Sequence, residues 1–171
     1  LDRGDLTVVA SIYRQARGLT LTLSILVSGL VAAAAEPIAQ AVLNDPTQAV
    51  IVRLLGLLVV PCALLGIHAA MLKALGRPAW GGFFEAGAWP SLTLLLGGLG
   101  LAFGHPSVEA AAVAYLLAAV LGAAASWIMV RRELPRERVA MAPPVRPLLR
   151  SCIPLTAVEL LNFALLWTPF L

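Results

Sequence analysis

The sequence has few charged residues. Asp, Glu, Lys and Arg make up 12% of its 171 residues, and 60% of the residues are hydrophobic. A soluble domain carries about 25% charged residues. The mean hydropathy of +0.91 is correspondingly high. A water-soluble core does not need this much apolar sequence, so the composition predicts an integral membrane protein.

The residue types that carry most enzyme and metal chemistry are scarce. There are two histidines, His68 and His105, and two cysteines, Cys62 and Cys152. Neither pair has the spacing of a metal site, and the cysteines are expected to be small apolar packing residues. The P-loop, HExxH and GxSxG motifs are all absent. An ATPase or a metalloenzyme is therefore not supported.

What the sequence does contain is a series of five apolar stretches. Each is close to the roughly 18–20 residues that cross a bilayer as a helix. Alternating segments of about ten residues, which a membrane β-barrel needs, are absent. The prediction is an all-α, polytopic helical bundle with five transmembrane helices, the last of them truncated because the chain looks like part of a longer protein. The stretches are residues 18–35, 54–72, 86–104, 110–130 and 151–171.

The positive charges fall into every second gap between these stretches. The gaps at 1–17, 73–85 and 131–150 hold 11 of the 12 Lys and Arg residues, and Arg53 is the exception. Short loops rich in Lys and Arg stay in the cytoplasm, so the residue 1 side is predicted to be cytoplasmic. The net charge of +3 then reflects topology and contact with anionic lipids, and no nucleic-acid partner is predicted.

Small residues recur at helical spacing in two of the stretches. Such a face lets neighbouring helices approach closely, so both helices are expected to pack against protein. In the fourth stretch the small residues are Ala114, Ala118, Gly122 and Ser126, and in the third they are Gly97, Gly98, Gly100 and Gly104.

Prolines mark two further features. Pro61 lies inside the second stretch, where it removes a backbone donor, so a kink or local unwinding is expected. The segment 131–150 contains six arginines and four prolines. It is predicted to be a cytoplasmic linker between a first helical lobe, residues 1–130, and a second lobe that begins with 151–171. An ordinary cytoplasmic loop is the alternative.

Polar side chains in or beside the stretches are the candidates for a substrate or ion pathway. Glu159 could bind a proton or a cation, and Asn162 lies three residues later on the same helical face. Each candidate also has a structural alternative, such as a hydrogen bond to a neighbouring helix or anchoring at the membrane interface. No catalytic or metal-binding residue is predicted. The candidates are Glu159, Asn162, His68, Arg53, Lys73 and Arg77.

Several segments together resemble a known family. The telling ones are AAMLKALGRPAWGGFFE, the basic RRELPRER, and the helix start LLRSCIPLTAVELLNFALLW. In this order they resemble the Wzx-like flippases for lipid-linked oligosaccharides and polysaccharides, in the multidrug/oligosaccharidyl-lipid/polysaccharide exporter superfamily. The resemblance implies about helices 3 to 7 of a two-lobed transporter with 12–14 helices.

The resemblance also implies a function. Such a protein is not an enzyme; it flips polyprenyl-pyrophosphate sugars across the bacterial inner membrane by alternating access, in polysaccharide or lipopolysaccharide biosynthesis. Its partners would be the lipid-linked oligosaccharide, membrane lipids and the remainder of its own chain. It would need no cofactor beyond proton or sodium coupling. The alternatives are a cation-coupled multidrug or toxin extruder of the same superfamily, and a membrane-embedded polysaccharide polymerase or ligase, which the short outer loops weigh against.

Overall fold

The apolar stretches fold as helices because a segment in lipid must bond its own backbone N–H and C=O groups. A computed structural model of the chain describes residues 3–102 and 107–134. Every regular element in these residues is helical, which confirms the predicted all-α membrane bundle. The α-helices are α1 (Arg3–Ala33), α2 (Ala35–Ile38), α3 (Ala49–Ala74), α4 (Pro78–Gly82), α5 (Ala88–Ala102) and α6 (Val108–Glu133). Single π-helical turns cover Ala39–Leu43 and Phe83–Gly87, and a 3-10 turn covers Pro46–Gln48.

Three helical segments in the described residues are long and apolar enough to cross a membrane. They are Leu6–Ala33, Pro46–Ala74 and Val108–Glu133, and they contain or closely overlap the predicted spans at 18–35, 54–72 and 110–130. The predicted span at 151–171 lies outside the described residues, as does most of the predicted linker.

The predicted span at 86–104 corresponds to α5. This helix has 15 residues, so it is about 22 Å long, shorter than the roughly 30 Å of a bilayer core. It follows α4 and the π-helical turn Phe83–Gly87 without a gap. The continuous helical stretch from Pro78 therefore has about 25 residues and a length of roughly 37 Å. It is not among the three described segments that are both long and apolar enough to cross, so the span at 86–104 stays a prediction.

Helix α1 begins well before the predicted boundary at residue 18. Residues 5–17 contain neither proline nor glycine, so nothing in the backbone interrupts the helix there. Within this part, Ala10 is fully buried and Tyr13 is 7% exposed. The residues of α1 ahead of position 18 and the predicted span itself therefore form one helix, because the early residues pack on the bundle.

The chain turns between α1 and α3 at residues 44–47, whose sequence Asn-Asp-Pro-Thr is typical of a turn. Asn44 adopts a left-handed conformation with φ of 54°, which asparagine tolerates better than most residues. The Asp45 carboxylate accepts hydrogen bonds from the Thr47 amide (2.9 Å) and the Thr47 hydroxyl (2.6 Å). These bonds favour the ionised form and hold the pKa of Asp45 below its usual value.

Helix α3 is central, with α1 and α6 packed against it. The small-residue face of α6 makes the predicted close approach: Ala118 and Ser126 are fully buried. A Cβ on Gly122 would lie 3.5 Å from the Leu65 side chain of α3. The fourth predicted span therefore packs through the residues that the spacing indicated.

The glycines of the third predicted span behave differently. A Cβ placed on Gly97, Gly98 or Gly100 would meet no atom within 4 Å. The expected close packing of this face is therefore not found among the described residues. Helix α5 packs on α6 through aromatic side chains instead, with the Trp89 and Tyr115 ring centroids 4.7 Å apart.

Pro61 is buried in α3, and the helix stays α-helical on both sides of it. The local unwinding expected there does not occur, since the chain from Ala49 to Ala74 is one α-helix. A bend at Pro61 stays a prediction.

The three spans differ in how much of their surface is covered. The share of the span buried inside the bundle is smallest in α1, intermediate in α3 and largest in α6. The uncovered face of α1 carries large apolar side chains, as lipid contact requires. The most exposed of them include Leu23, Ile25, Leu26 and Leu30.

Candidate functional site

One end of the bundle gathers most of the basic residues. The beginning of α1 and the ends of α3 and α6 meet there, with Tyr13, Leu72 and Val130 in a shared apolar cluster. We call this the basic end. The charge asymmetry of the sequence is therefore a spatial one, since Arg53 lies near the start of α3 at the opposite end.

The basic residues predicted as candidates are each paired with a carboxylate. Arg53 lies 3.0 Å from Glu36 at the opposite end of the bundle. At the basic end, Lys73 pairs with Glu85, and Arg77 lies 3.2 Å from Glu133. All these groups are at least 40% exposed, so each pair contributes little to stability. The pairing does neutralise positive charge that would otherwise attract an anionic substrate.

His68 lies inside the bundle, 2% exposed, between α3 and α6. Its Nδ1 lies 2.9 Å from the Ser126 hydroxyl, which in turn lies 3.0 Å from the Ala123 carbonyl oxygen. A carbonyl only accepts, so all three groups are satisfied when Ser126 donates to Ala123 and His68 Nδ1–H donates to Ser126. This tautomer leaves Nε2 as an acceptor, and Nε2 has no partner among the described residues.

A cavity of about 400 Å³ lies beside His68, between α1, α3 and α6. We call it the inner cavity. Its walls are largely apolar, with one cation, one histidine and one tryptophan among them. Pro61 also contributes to the wall, which gives this residue a place at the cavity without any break in α3. The lining residues are Arg17, Leu21, Val60, Pro61, Leu64, His68, Val120, Ala123, Ala124 and Trp127.

Arg17 distinguishes this cavity from a purely apolar void. Its guanidinium carbon lies 5.9 Å from the centre of the Trp127 ring, at cation–π distance. Tyr13, one helical turn before Arg17 in α1, has its ring centroid 6.1 Å from that of His68. Arg17 belongs to none of the ion pairs in the part of the chain that the structure describes. Within these described residues, no carboxylate neutralises its charge.

Comparison with known proteins identifies the family of this chain. The family described as "Polysaccharide biosynthesis protein" matches residues 8–166, nearly the whole chain. The chain belongs to this family. The resemblance stated from the sequence is thereby confirmed. No curated protein and no solved structure matches the chain.

This polysaccharide biosynthesis protein is thus a membrane protein with a role in making polysaccharides. Its inner cavity sets the Arg17 cation beside largely apolar walls, an arrangement that can hold an anion and surround apolar groups. Within residues 3–102 and 107–134, no three His, Cys, Asp or Glu side chains are grouped as a metal site would require.

Of the residues predicted from the sequence of this family member, only His68 and Pro61 line the cavity. Lys73 and Arg77 lie on the surface of the basic end, and Arg53 lies at the other end. Glu159 and Asn162 fall outside the described residues.

Sequence reasoning missed Arg17, Ser126 and Trp127 as site residues. Arg17 lies just before the predicted span at 18–35, in a gap whose basic residues were predicted to lie in a loop. The signal that could have found it is its spacing of four from Tyr13, which places both on one helical face once α1 is extended. Ser126 was identified as part of the small-residue face, and its spacing gives no indication of a histidine partner on another helix.

Proposed function

We propose that this protein is a flippase for lipid-linked oligosaccharides, moving polyprenyl-pyrophosphate sugars across the bacterial inner membrane by alternating access. The observation that supports it most is the inner cavity, where Arg17 has no carboxylate partner among the described residues and faces otherwise apolar walls. A family role in polysaccharide biosynthesis agrees with such a substrate.

The chemistry of the cavity suits an amphiphile with a charged headgroup. A guanidinium in a medium of low dielectric attracts phosphate oxygens more strongly than it would in water, and it binds them in a bidentate manner. The apolar walls would tolerate the first part of the polyprenyl chain, and the rest of that chain would remain in lipid.

Alternating access would come from two helical lobes that rock about the cavity. The partners in this proposal are the lipid-linked oligosaccharide, the membrane lipids and the remainder of the chain, with the residue 1 side in the cytoplasm. Coupling to protons or sodium ions belongs to the same proposal, with Glu159 as the group that would carry it and Asn162 beside it.

The test replaces Arg17 in the complete natural chain, reconstituted in liposomes with its lipid-linked oligosaccharide. Arg17→Gln is expected to slow flipping at least tenfold, because a charge-assisted bond to phosphate is lost, which is worth about 1.5–3 kcal/mol. Arg17→Lys should retain part of the rate, since it keeps the charge without the bidentate geometry. Flipping is measured as the fraction of oligosaccharide that a lectin outside the liposomes captures with time.

Arg53→Gln is the matched control, because it removes an arginine that is already paired with Glu36 at the other end of the bundle. Its flipping rate should stay within twofold of the wild-type rate. Equal rates for Arg17→Gln and the wild type would rule out the proposed role of the cavity.

A second function is favoured by one feature, the largely apolar wall of the cavity with Trp127 in it. Such a wall also suits the hydrophobic cations that multidrug extruders export. The positive charge of Arg17 argues against export of cations, because it repels them inside the same cavity. Export of a lipophilic cationic dye by the reconstituted protein, with no flipping of oligosaccharide, would favour the extruder.

A further inference from the structure

A second pocket lies at the basic end, beyond the inner cavity. It is a surface depression at the end of α6, lined by Trp127, Ile128, Arg131, Arg132 and Leu134. We call it the α6 pocket. Polar and apolar groups contribute to it in similar measure, in contrast to the apolar inner cavity. The proposed function makes no use of it.

Two arginines give the α6 pocket its charge. Arg131 and Arg132 lie in the last turn of α6, and neither takes part in an ion pair of the described residues. The neighbouring carboxylate of Glu133 is occupied by Arg77. The carboxyl end of a helix carries about half a negative charge, which two full positive charges outweigh. The pocket is therefore positive.

Trp127 orients one of these arginines. The Arg131 guanidinium carbon lies 5.2 Å from the centre of the Trp127 ring, at cation–π distance. Contact through the flat face of a guanidinium leaves its N–H groups free at the edge, where they bind phosphate oxygens. Tryptophan beside arginine is also the residue pair typical of the membrane–water interface.

An apolar stripe leads from the two arginines along α6. Leu117, Leu121 and Ile128 are each about half exposed. At 100° per residue, these three side chains and the two arginines fall within an arc of about 100° on the helix. A charged group held at the arginines would thus have an apolar surface directly alongside, running toward the middle of the bilayer.

We propose that the α6 pocket binds the phosphate of an anionic phospholipid, with its acyl chains along the Leu117–Ile128 stripe. Charge complementarity selects the anionic headgroup, since a zwitterionic lipid carries no net negative charge. The stripe favours a lipid over a soluble phosphate, which would make no use of it. The leaflet at the basic end, cytoplasmic by the positive-inside rule, is the one that holds anionic lipid beside basic residues.

The experiment is native mass spectrometry of the complete natural chain in detergent, titrated with phosphatidylglycerol and with phosphatidylethanolamine of the same acyl chains. The wild-type chain should retain phosphatidylglycerol more tightly. The double variant Arg131→Gln/Arg132→Gln should weaken that binding roughly tenfold, since each basic residue near an anionic membrane surface contributes several-fold. Binding of phosphatidylethanolamine should stay the same.

Lys73→Gln/Arg77→Gln is the matched control. It removes two cations from the same end of the bundle, but both are already paired with carboxylates. It should change phosphatidylglycerol binding less than twofold. Arg131→Lys/Arg132→Lys should retain most of the binding, and its result separates loss of charge from loss of folding.

Three results would overturn the proposal. The first is equal phosphatidylglycerol binding by the wild type and Arg131→Gln/Arg132→Gln, as would follow if another part of the protein filled the pocket. The second is an equal loss in the control variant, which would indicate a general charge effect. The third is displacement of the lipid by soluble glycerol phosphate at equal concentration, which would mean that the stripe contributes nothing.

Discussion

Ser126 connects two helices through a single hydroxyl, which accepts from His68 and donates within α6. Ser126→Ala should lower the free energy of unfolding by about 1–2 kcal/mol, because it leaves a buried imidazole N–H without a partner. The measurement is reversible unfolding of the complete chain in mixed micelles, with increasing fractions of sodium dodecyl sulfate.

Ser24→Ala serves as the control for this serine. Ser24 is also buried, and its hydroxyl donates to the Leu21 carbonyl of its own helix, with no bond to another helix among the described residues. Its loss should change stability by less than about 0.5 kcal/mol. A Ser126→Ala protein as stable as Ser24→Ala would show that the bond to His68 does not hold the helices together.

Of these residues, one could be predicted from the sequence as a site residue and its partner could not. His68 could be singled out because an ionisable side chain inside a span is costly and therefore rare. Its partner could not, since Ser126 is 58 positions away and only the packing of α6 on α3 brings the two together. The carboxylate partners of Arg53 and Lys73 likewise depend on the path of the chain between two helices, and the partner of Arg77 depends on where the end of α6 packs.

At the scale of elements, the contact of α4 with α3 depends on one glycine. A Cβ on Gly81 would lie 2.7 Å from the Ala69 carbonyl oxygen and 2.5 Å from Lys73 Cγ. The carbonyl belongs to the backbone of α3 and cannot move aside as a side chain can. Gly81→Ala should therefore lower the free energy of unfolding by about 1–3 kcal/mol, measured in the same mixed micelles.

Gly82 supplies the comparison, because a Cβ there would meet no atom within 4 Å. Gly82→Ala should leave stability unchanged or raise it by up to about 1 kcal/mol through better helix propensity. If the two alanine variants were equally stable, α4 would not be held against α3 as closely as described.

Element types were predictable from apolar length, whereas element ends were not. The span limits followed hydrophobicity, but helices end where backbone bonding ends, so α1 extends to Arg3 and α6 to Glu133. The turn at Asn44 was predictable because its residues tolerate that backbone. Helix α5 packs on α6 as predicted, but its glycines meet no neighbour among the described residues, since small residues permit close packing without requiring it.

At the scale of the whole molecule, the charge asymmetry predicts an orientation. Cysteines placed at Thr47 and Ala79, in a chain whose Cys62 and Cys152 are replaced by alanine, should report it. Both positions are exposed and lie at opposite ends of the bundle. A maleimide that cannot cross membranes should label Thr47→Cys in intact cells and Ala79→Cys only after permeabilisation, because the end rich in Lys and Arg stays inside.

Labelling of Ala79→Cys in intact cells would reverse this orientation and place the α6 pocket in the outer leaflet. The sequence predicted the asymmetry directly, because a count of Lys and Arg needs no packing information. The inner cavity is different: it arises where three helices leave a gap beside a proline and small residues, and no single segment encodes it.

The unequal coverage of the three spans has a consequence for how the protein is made. Little of the α1 span is buried inside the bundle, so the translocon can release this span into lipid as soon as it is synthesised. Helix α6 turns a face of alanine, glycine and serine toward α3, and this face gains little from lipid. Helix α6 should therefore leave the translocon most readily when a helix that is already inserted can pack against this face. Because α3 precedes α6 in the chain, α3 is already synthesised and available for packing when α6 emerges.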